Sequence, residues 1–293
     1  MSIERLKELL RERGAEAGSA SVEARRKGME AVAFPVAADV AVEETKAGGL
    51  RAEWLRAPGA SDDRSVLYLH GGGYVIGSIV THRALAGEIS RESGARVLLV
   101  DYRLAPEHPH PAAVDDAVTS YRWLLGRSAE AGRTAICGDS AGGGLTAACL
   151  VAAREAALPM PGAAVCISPW SDLTCSAGSY GSRAALDPMI QSGGIEEMAA
   201  HYLQGTSPDA PLASPNFADL AGLPPLLIHV GSDEVLHDDA VGLHERARAH
   251  GVESTLEVWE GMIHVWHAFH PMLDEGKRGI QRVGEFLRET WGR

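Results

Sequence analysis

The stretch Gly138-Asp139-Ser140-Ala141-Gly142 limits what this chain can fold into more than any other. It follows the apolar run Thr134 to Cys137 and precedes a run of small residues, Gly143 to Ala157, that reads as a helix. In a strand–turn–helix setting, G-x-S-x-G describes a sharp turn with the serine in strained geometry. The positions two residues either side must then lack side chains, and both are glycine. The turn lifts Ser140 Oγ clear of a sheet and sets it at a helix N-terminus, where unpaired N–H groups and the helix dipole favour developing negative charge. The competing reading, a glycine-rich loop without chemistry, is opposed by the flanking elements and by the partners described below.

The rest of the chain supplies a sheet for that turn. Residues 3–13 place Ile3, Leu6, Leu9 and Leu10 at helical spacing, and a second helical stretch covers 20–32. Val36 to Glu44 and Leu50 to Ala57 read as strands around a Gly48-Gly49 turn. Strand-like runs then alternate with helical patterns: Ser65–Leu69, Arg96–Asp101, 133–137, Ala163–Ser168, Pro225–Gly231 and Ser254–Trp259 against helices over 81–93, 112–126, 143–157, 238–250 and 272–290. That rhythm predicts a mostly parallel sheet covered on both faces, an α/β fold. It breaks over 172–223, which holds a helix at Ile195–Leu203 and a proline-rich stretch. A long insertion in such a domain is usually functional, often a lid.

At 293 residues the chain suits one large α/β domain or two small ones. Its formal net charge of -12 argues against nucleic acid or an anionic membrane as partner, while leaving room for a local basic patch. The absence of an 18-residue apolar stretch and the charged start from Glu4 predict neither a membrane span nor a secretory signal, hence a cytoplasmic protein. Cys137, Cys149, Cys166 and Cys175 lack CxxC spacing and read as small hydrophobes in a reducing compartment.

Ser140 is a weak nucleophile by itself and needs a base that is oriented by an acid. The expected chain order is serine, then Asp or Glu, then histidine. Two late loops, each after an expected strand, offer candidates: Gly231-Ser232-Asp233-Glu234-Val235-Leu236 and Glu260-Gly261-Met262-Ile263-His264. Carboxyl ends of strands gather functional residues in open α/β sheets, so Asp233 and His264 are the expected acid and base. Glu234 competes for the acid role, as do Asp238 and Asp239, although that pair suits a helix N-cap. His267 and His270 read as packing residues. The three-residue spacing of these histidines lacks the H-E-x-x-H form, so no metal is expected. After the strand 65–69, His70-Gly71-Gly72-Gly73-Tyr74 lets backbone N–H groups approach a substrate oxygen, half of an oxyanion hole whose other half is the Ala141 N–H. His70 is expected to orient this loop, not to act as a base. Neither G-x-x-x-x-G-K-[ST] nor G-x-G-x-x-G occurs, so no phosphate-binding role and no cofactor is expected.

Together these residues resemble the hormone-sensitive lipase family of carboxylesterases, the HGGG branch of the α/β-hydrolases. The resemblance is carried, in order over about 70–270, by His70 to Tyr74, Asp101 to Pro109, Gly138 to Gly143, Gly231-Ser232-Asp233 and Gly261 to His264. It implies an eight-stranded sheet with one antiparallel strand near its start and a helical cap. Residues 1–45 and 175–210 fit the cap, leaving 46–174 and 211–293 as the two parts of the α/β-hydrolase core. It also implies that Asp101 to Pro109, with Asp115 and Asp116, support the site structurally. Two of Gly71, Gly72 and Gly73 donate beside Ala141, and Gly72 and Gly73 are favoured over Gly71. The expected activity is a serine carboxylesterase acting on short- to medium-chain acyl esters through Ser140, His264 and Asp233. Tyr74, Trp170, Leu186, Met189 and Ile190 are the candidate lining of an apolar acyl pocket. A small-molecule ester is the expected partner, with no nucleic acid, no stable membrane insertion, and a homodimer through an edge strand or the last helices as an option. Amide, lactone or carbamate hydrolysis and a non-catalytic ligand receptor are the alternatives on this scaffold.

Overall fold

The computed structural model describes residues 1–17, 20–127, 130–190 and 192–292. Residues 18, 19 and 191, inside the two expected cap segments, lie outside that set. The chain begins with α1 (Ile3–Ala17), α2 (Val22–Ala31) and the strands β1 (Ala41–Ala47), β2 (Leu50–Arg56) and β3 (Ser61–Leu69). It continues through α3 (Ile79–Ser93), β4 (Ala95–Val100), α4 (Ala112–Leu125), β5 (Thr134–Asp139), α5 (Ala141–Glu155) and β6 (Ala163–Ile167). After α6 (Ser179–Ser182) and α7 (Ser192–Leu203) it closes with β7 (Leu226–Gly231), α8 (His237–Ala249), β8 (Ser254–Trp259) and α9 (Asp274–Trp291).

The strands form one sheet in the order β1-β2-β4-β3-β5-β6-β7-β8. β2 pairs antiparallel with β1 and with β4, and every other neighbouring pair is parallel. β5, β6 and β7 are buried along their whole length, because a parallel sheet covered by helices has no wet face. The edge strand β1 is largely exposed, and the other edge, β8, is mostly half-buried. One face packs against α4, α5 and α8, the other against α3 and α9. A third apolar cluster joins Leu6 of α1 to Met262, Ile263, Trp266 and Leu273, so α1 lies on the loop after β8.

Strand boundaries differ from the sequence expectation most at the starts of β1 and β3. β1 starts at Ala41, not Val36: Pro35 has no N–H to pair, and a turn from Val40 N to Ala37 O (3.0 Å) breaks the extended run. β3 reaches back to Ser61 through a register shift between Ser61 and Ser65, which the charged triplet Asp62-Asp63-Arg64 hides from a hydrophobic pattern.

Candidate active site

The turn between β5 and α5 holds Ser140 at φ 54°, ψ −124°, a conformation that costs a non-glycine residue free energy. Its flanking glycines are required by contact. A Cβ on Gly138 would lie 2.2 Å from Gly142 O, and one on Gly142 would lie 2.0 Å from Leu69 O.

The Ser140 hydroxyl faces His264 Nε2 at 2.9 Å, and His264 Nδ1 faces Glu234 Oε2 at 2.7 Å. With the proton on Nδ1, the imidazole donates to Glu234 and accepts from Ser140. Glu234 is wholly buried, and its other oxygen accepts from Gly231 N at 2.5 Å and Ser168 Oγ at 2.8 Å. Burial by itself would lower the His264 pKa. The Glu234 carboxylate opposes it, with Asp187 and Asp139 further off, and the net result is a pKa above the ordinary histidine value.

Asp233, the acid expected from the sequence, is not the residue at His264. Its carboxylate turns the other way, accepting from Lys7 Nζ at 2.8 Å and from Ser232 Oγ at 2.8 Å. The two acids are neighbours in the turn that follows β7, and of the two only Glu234 faces the imidazole. Asp238 and Asp239 do not reach it either. Asp239 Oδ2 accepts from Ser171 N (3.1 Å) and Asp172 N (2.9 Å), and Asp238 Oδ2 from Ser179 N (2.9 Å), so both pin the chain that follows β6. His267 pairs with His229 at 2.9 Å inside an aromatic cluster with Trp266.

The glycine loop after β3 approaches Ser140 from the opposite side. Gly71 N is occupied, donating to Asp139 Oδ1 at 3.2 Å. Gly72 (φ +118°) and Gly73 (φ +61°) follow in a turn closed by Val75 N and Ile76 N on Gly72 O (3.1 and 2.9 Å). Side chains cannot enter here: a Cβ on Gly72 would lie 2.2 Å from Ile76 O, and one on Gly73 would lie 2.1 Å from Met198 Sδ. His70 is buried, stacks on Tyr102 at 4.3 Å and holds Gly71 O through Nδ1 at 2.8 Å. Burial pushes its pKa down to about 3, too weak a base to deprotonate a serine.

A family model for the α/β hydrolase fold matches residues 66–268. An acetyl-hydrolase of Streptomyces hygroscopicus is 51% identical over 245 residues, covering 84% of this chain and 82% of that protein. The crystal structure of EstE5 soaked with p-nitrophenyl butyrate superposes with a TM-score of 0.97 at 58% identity, with 99% of each chain covered. An esterase described as belonging to the bacterial hormone-sensitive lipase family gives 0.96 at 49% identity, covering 99% of this chain and 98% of that one. The chain belongs to the hormone-sensitive lipase family of α/β hydrolases. It is a carboxylic ester hydrolase.

Around the site of this hydrolase, Asp101 Oδ1 accepts the first N–H of α3, Ile79 N, at 2.7 Å, and Arg103 pairs with Asp116 at 2.8 Å. Tyr102 OH donates to His70 O at 2.7 Å. Asp139, inside the serine turn, accepts from Tyr68 OH at 2.7 Å and lies 3.3 Å from His82 Nε2. Burial would raise its pKa, but these partners outweigh it and hold the carboxyl below the usual value. Of the candidate lining residues, Tyr74 and Trp170 are buried with ring centres 6.0 Å apart, and Tyr74 stacks on Tyr202 at 3.8 Å. Leu186 and Met189 are 44% and 40% exposed, and Ile190 is half-buried. Met198 escaped the sequence reading, since nothing local marks the side chain of α7 that lies over Gly73. Among the described residues no three His, Cys, Asp or Glu side chains converge as metal ligands, and no helix is long and apolar enough to cross a membrane.

Proposed function

We propose that this enzyme hydrolyses short- to medium-chain acyl esters of small molecules through Ser140, His264 and Glu234. The observation that carries the reading is the continuous line from Ser140 Oγ through the imidazole to a buried, twice-supported carboxylate. His264 takes the hydroxyl proton as Oγ attacks the ester carbonyl, and Glu234 stabilises the imidazolium. The tetrahedral oxyanion rests on the N–H groups of Gly72, Gly73 and Ala141, each worth about 3–4 kcal/mol of barrier in comparable sites. The C–O bond to the alcohol then breaks as His264 returns the proton to the leaving oxygen. Water repeats the sequence on the Ser140 ester, releasing the carboxylic acid.

The occupied Gly71 N–H supports the choice of Gly72 and Gly73. Met198 over Gly73 supports a shallow acyl pocket. The descriptions of two similar proteins point the same way, one an acetyl-hydrolase and the other soaked in its crystal with p-nitrophenyl butyrate. In this reading residues 1–45 and 175–210 cover the site as a cap, and Tyr74, Trp170, Leu186, Met189 and Ile190 border it. Two sheet edges, β1 and β8, are open to a second copy, and sedimentation velocity tests the homodimer that either would allow.

The test is the hydrolysis of p-nitrophenyl esters from acetate to palmitate by the wild type and by Ser140→Ala. A peak at short or medium chains that the folded variant lacks is expected. Turnover by Ser140→Ala equal to wild type overturns the mechanism, and no serine-dependent turnover at any chain length overturns the ester reading.

A further inference from the structure

The loop that carries Glu234 is held on both sides by segments outside the sheet. Ser232 O accepts from the Arg183 guanidinium. Val235 N donates to Asp187 Oδ2 at 3.0 Å, and Val235 O accepts from Ser179 Oγ at 2.5 Å. Directly before Glu234, Asp233 accepts from Lys7 of α1, 226 residues away in sequence. Asp233 N donates to Met262 O at 3.0 Å, and Gly261 N donates to Ser232 Oγ at 2.8 Å, so this loop is also tied to the loop of His264.

Lys7 is only 5% exposed. A buried ammonium stabilises a fold less than an apolar side chain of similar size would, so its placement needs another explanation. Docking of α1 does not require it, because Leu6, with Ile3 and Leu10 beside it, already packs on Met262, Ile263 and Trp266. What the ion pair adds is direction. Asp233 and Glu234 are adjacent carboxylates in one turn, and their ion-pair and hydrogen-bond partners decide which of them meets the imidazole. Drawing Asp233 outward to Lys7 leaves Glu234 facing inward. Lys7 also bonds Glu4 Oε1 at 3.1 Å; burial would lower the Lys7 pKa but Asp233 and Glu4 raise it, and burial would raise the Asp233 pKa but Lys7 and Ser232 hold it down.

We propose that the Lys7–Asp233 ion pair is a latch through which α1 positions Glu234 against His264, making Lys7 and Asp233 positioning residues for acyl transfer. The proposal rests on the Ser140–His264–Glu234 reading. It separates two acids that sequence treats alike, one in the proton relay and the other selecting it.

The test measures kcat and KM on p-nitrophenyl acetate for Lys7→Met, Asp233→Asn, the double variant and Lys7→Arg, with thermal melting alongside. Misplacing a catalytic group by a fraction of an ångström to an ångström costs on the order of 10–100-fold. Each single variant is expected to lose about tenfold in kcat with KM held within about twofold. The double variant should be no slower than the slower single, because both remove one interaction, and Lys7→Arg should recover most of the loss. An unchanged kcat, a loss confined to KM, losses that multiply in the double variant, or Lys7→Arg as slow as Lys7→Met would each overturn the latch. Should Lys7→Met fail to fold, Asp233→Asn carries the same criterion. Glu234→Gln run in parallel separates the two readings. Full turnover there overturns the triad, whereas its collapse beside an unaffected Lys7→Met overturns the latch alone.

Discussion

Glu234 is buried, accepts from Gly231 N and Ser168 Oγ, and still has one oxygen for His264. Asp233, one residue earlier, spends its carboxylate on Lys7 and Ser232. Replacing them should therefore give unequal results. Glu234→Ala is expected to lower kcat by about 10⁴-fold, the scale on which an orienting carboxylate acts in such relays, and Asp233→Ala by about tenfold. Equal losses in steady-state kinetics would contradict the assignment. The same carboxylate sets the pH response. His264 works as a base only when neutral, and its pKa is raised, so kcat/KM should fall on the acid side through a pKa above about 6.5. Glu234→Gln removes the raising charge and leaves burial, which lowers the pKa, so the acid limb of its residual activity should move to lower pH. A limb that does not move would assign it to another group.

At the scale of elements, the site is assembled from chain ends that the parallel sheet delivers to one edge: the loop after β3, the turn after β5, and the loops after β7 and β8. α7 reaches this edge from outside the sheet and sets Met198 on Gly73. A thioether there closes space next to the oxyanion loop, so Met198→Ala should open it. A single methylene is worth about 1–3 kcal/mol of discrimination in an apolar pocket. The ratio of rates on hexanoate and acetate esters should accordingly rise by about tenfold in that variant. An unaltered ratio would mean that the acyl chain leaves in another direction.

Over the whole molecule, two apolar layers seal the sheet and leave its cysteines inaccessible. Cys137 and Cys166 lie on β5 and β6 and Cys149 on α5, all buried, while Cys175 is half-buried in the insertion between β6 and β7. Burial pushes the Cys149 thiol up to about 12 and the Cys175 thiol up to about 11, away from the reactive thiolate. The native enzyme at pH 8 should therefore react with an aromatic disulfide reagent at one thiol at most, and slowly, whereas the denatured chain should react at all four. Fast reaction of two or more thiols in the native state would show that the core opens more readily than its packing suggests.

The strand–helix rhythm, the serine turn and the glycine loop were legible because each leaves a pattern of residue types within a few positions. Gly138 is confined by Gly142 four residues on and Gly142 by Leu69 on the neighbouring strand, while β5, β6 and β7 are mostly apolar because both their faces are covered. Exposed or charged stretches were less readable. The start of β1 and the charged beginning of β3 carry little burial signal, since solvent accepts their side chains in many backbone states. The identity of the acid beside His264 was beyond any local pattern. Asp233 and Glu234 are chemically equivalent neighbours, and the difference between them is where the loop after β7 points and which distant cation meets it. Lys7 arrives from α1 and Met198 from α7, each across a long stretch of chain. Such pairings exist only once the helices have docked, because their energies come from contacts that residues near in sequence do not share.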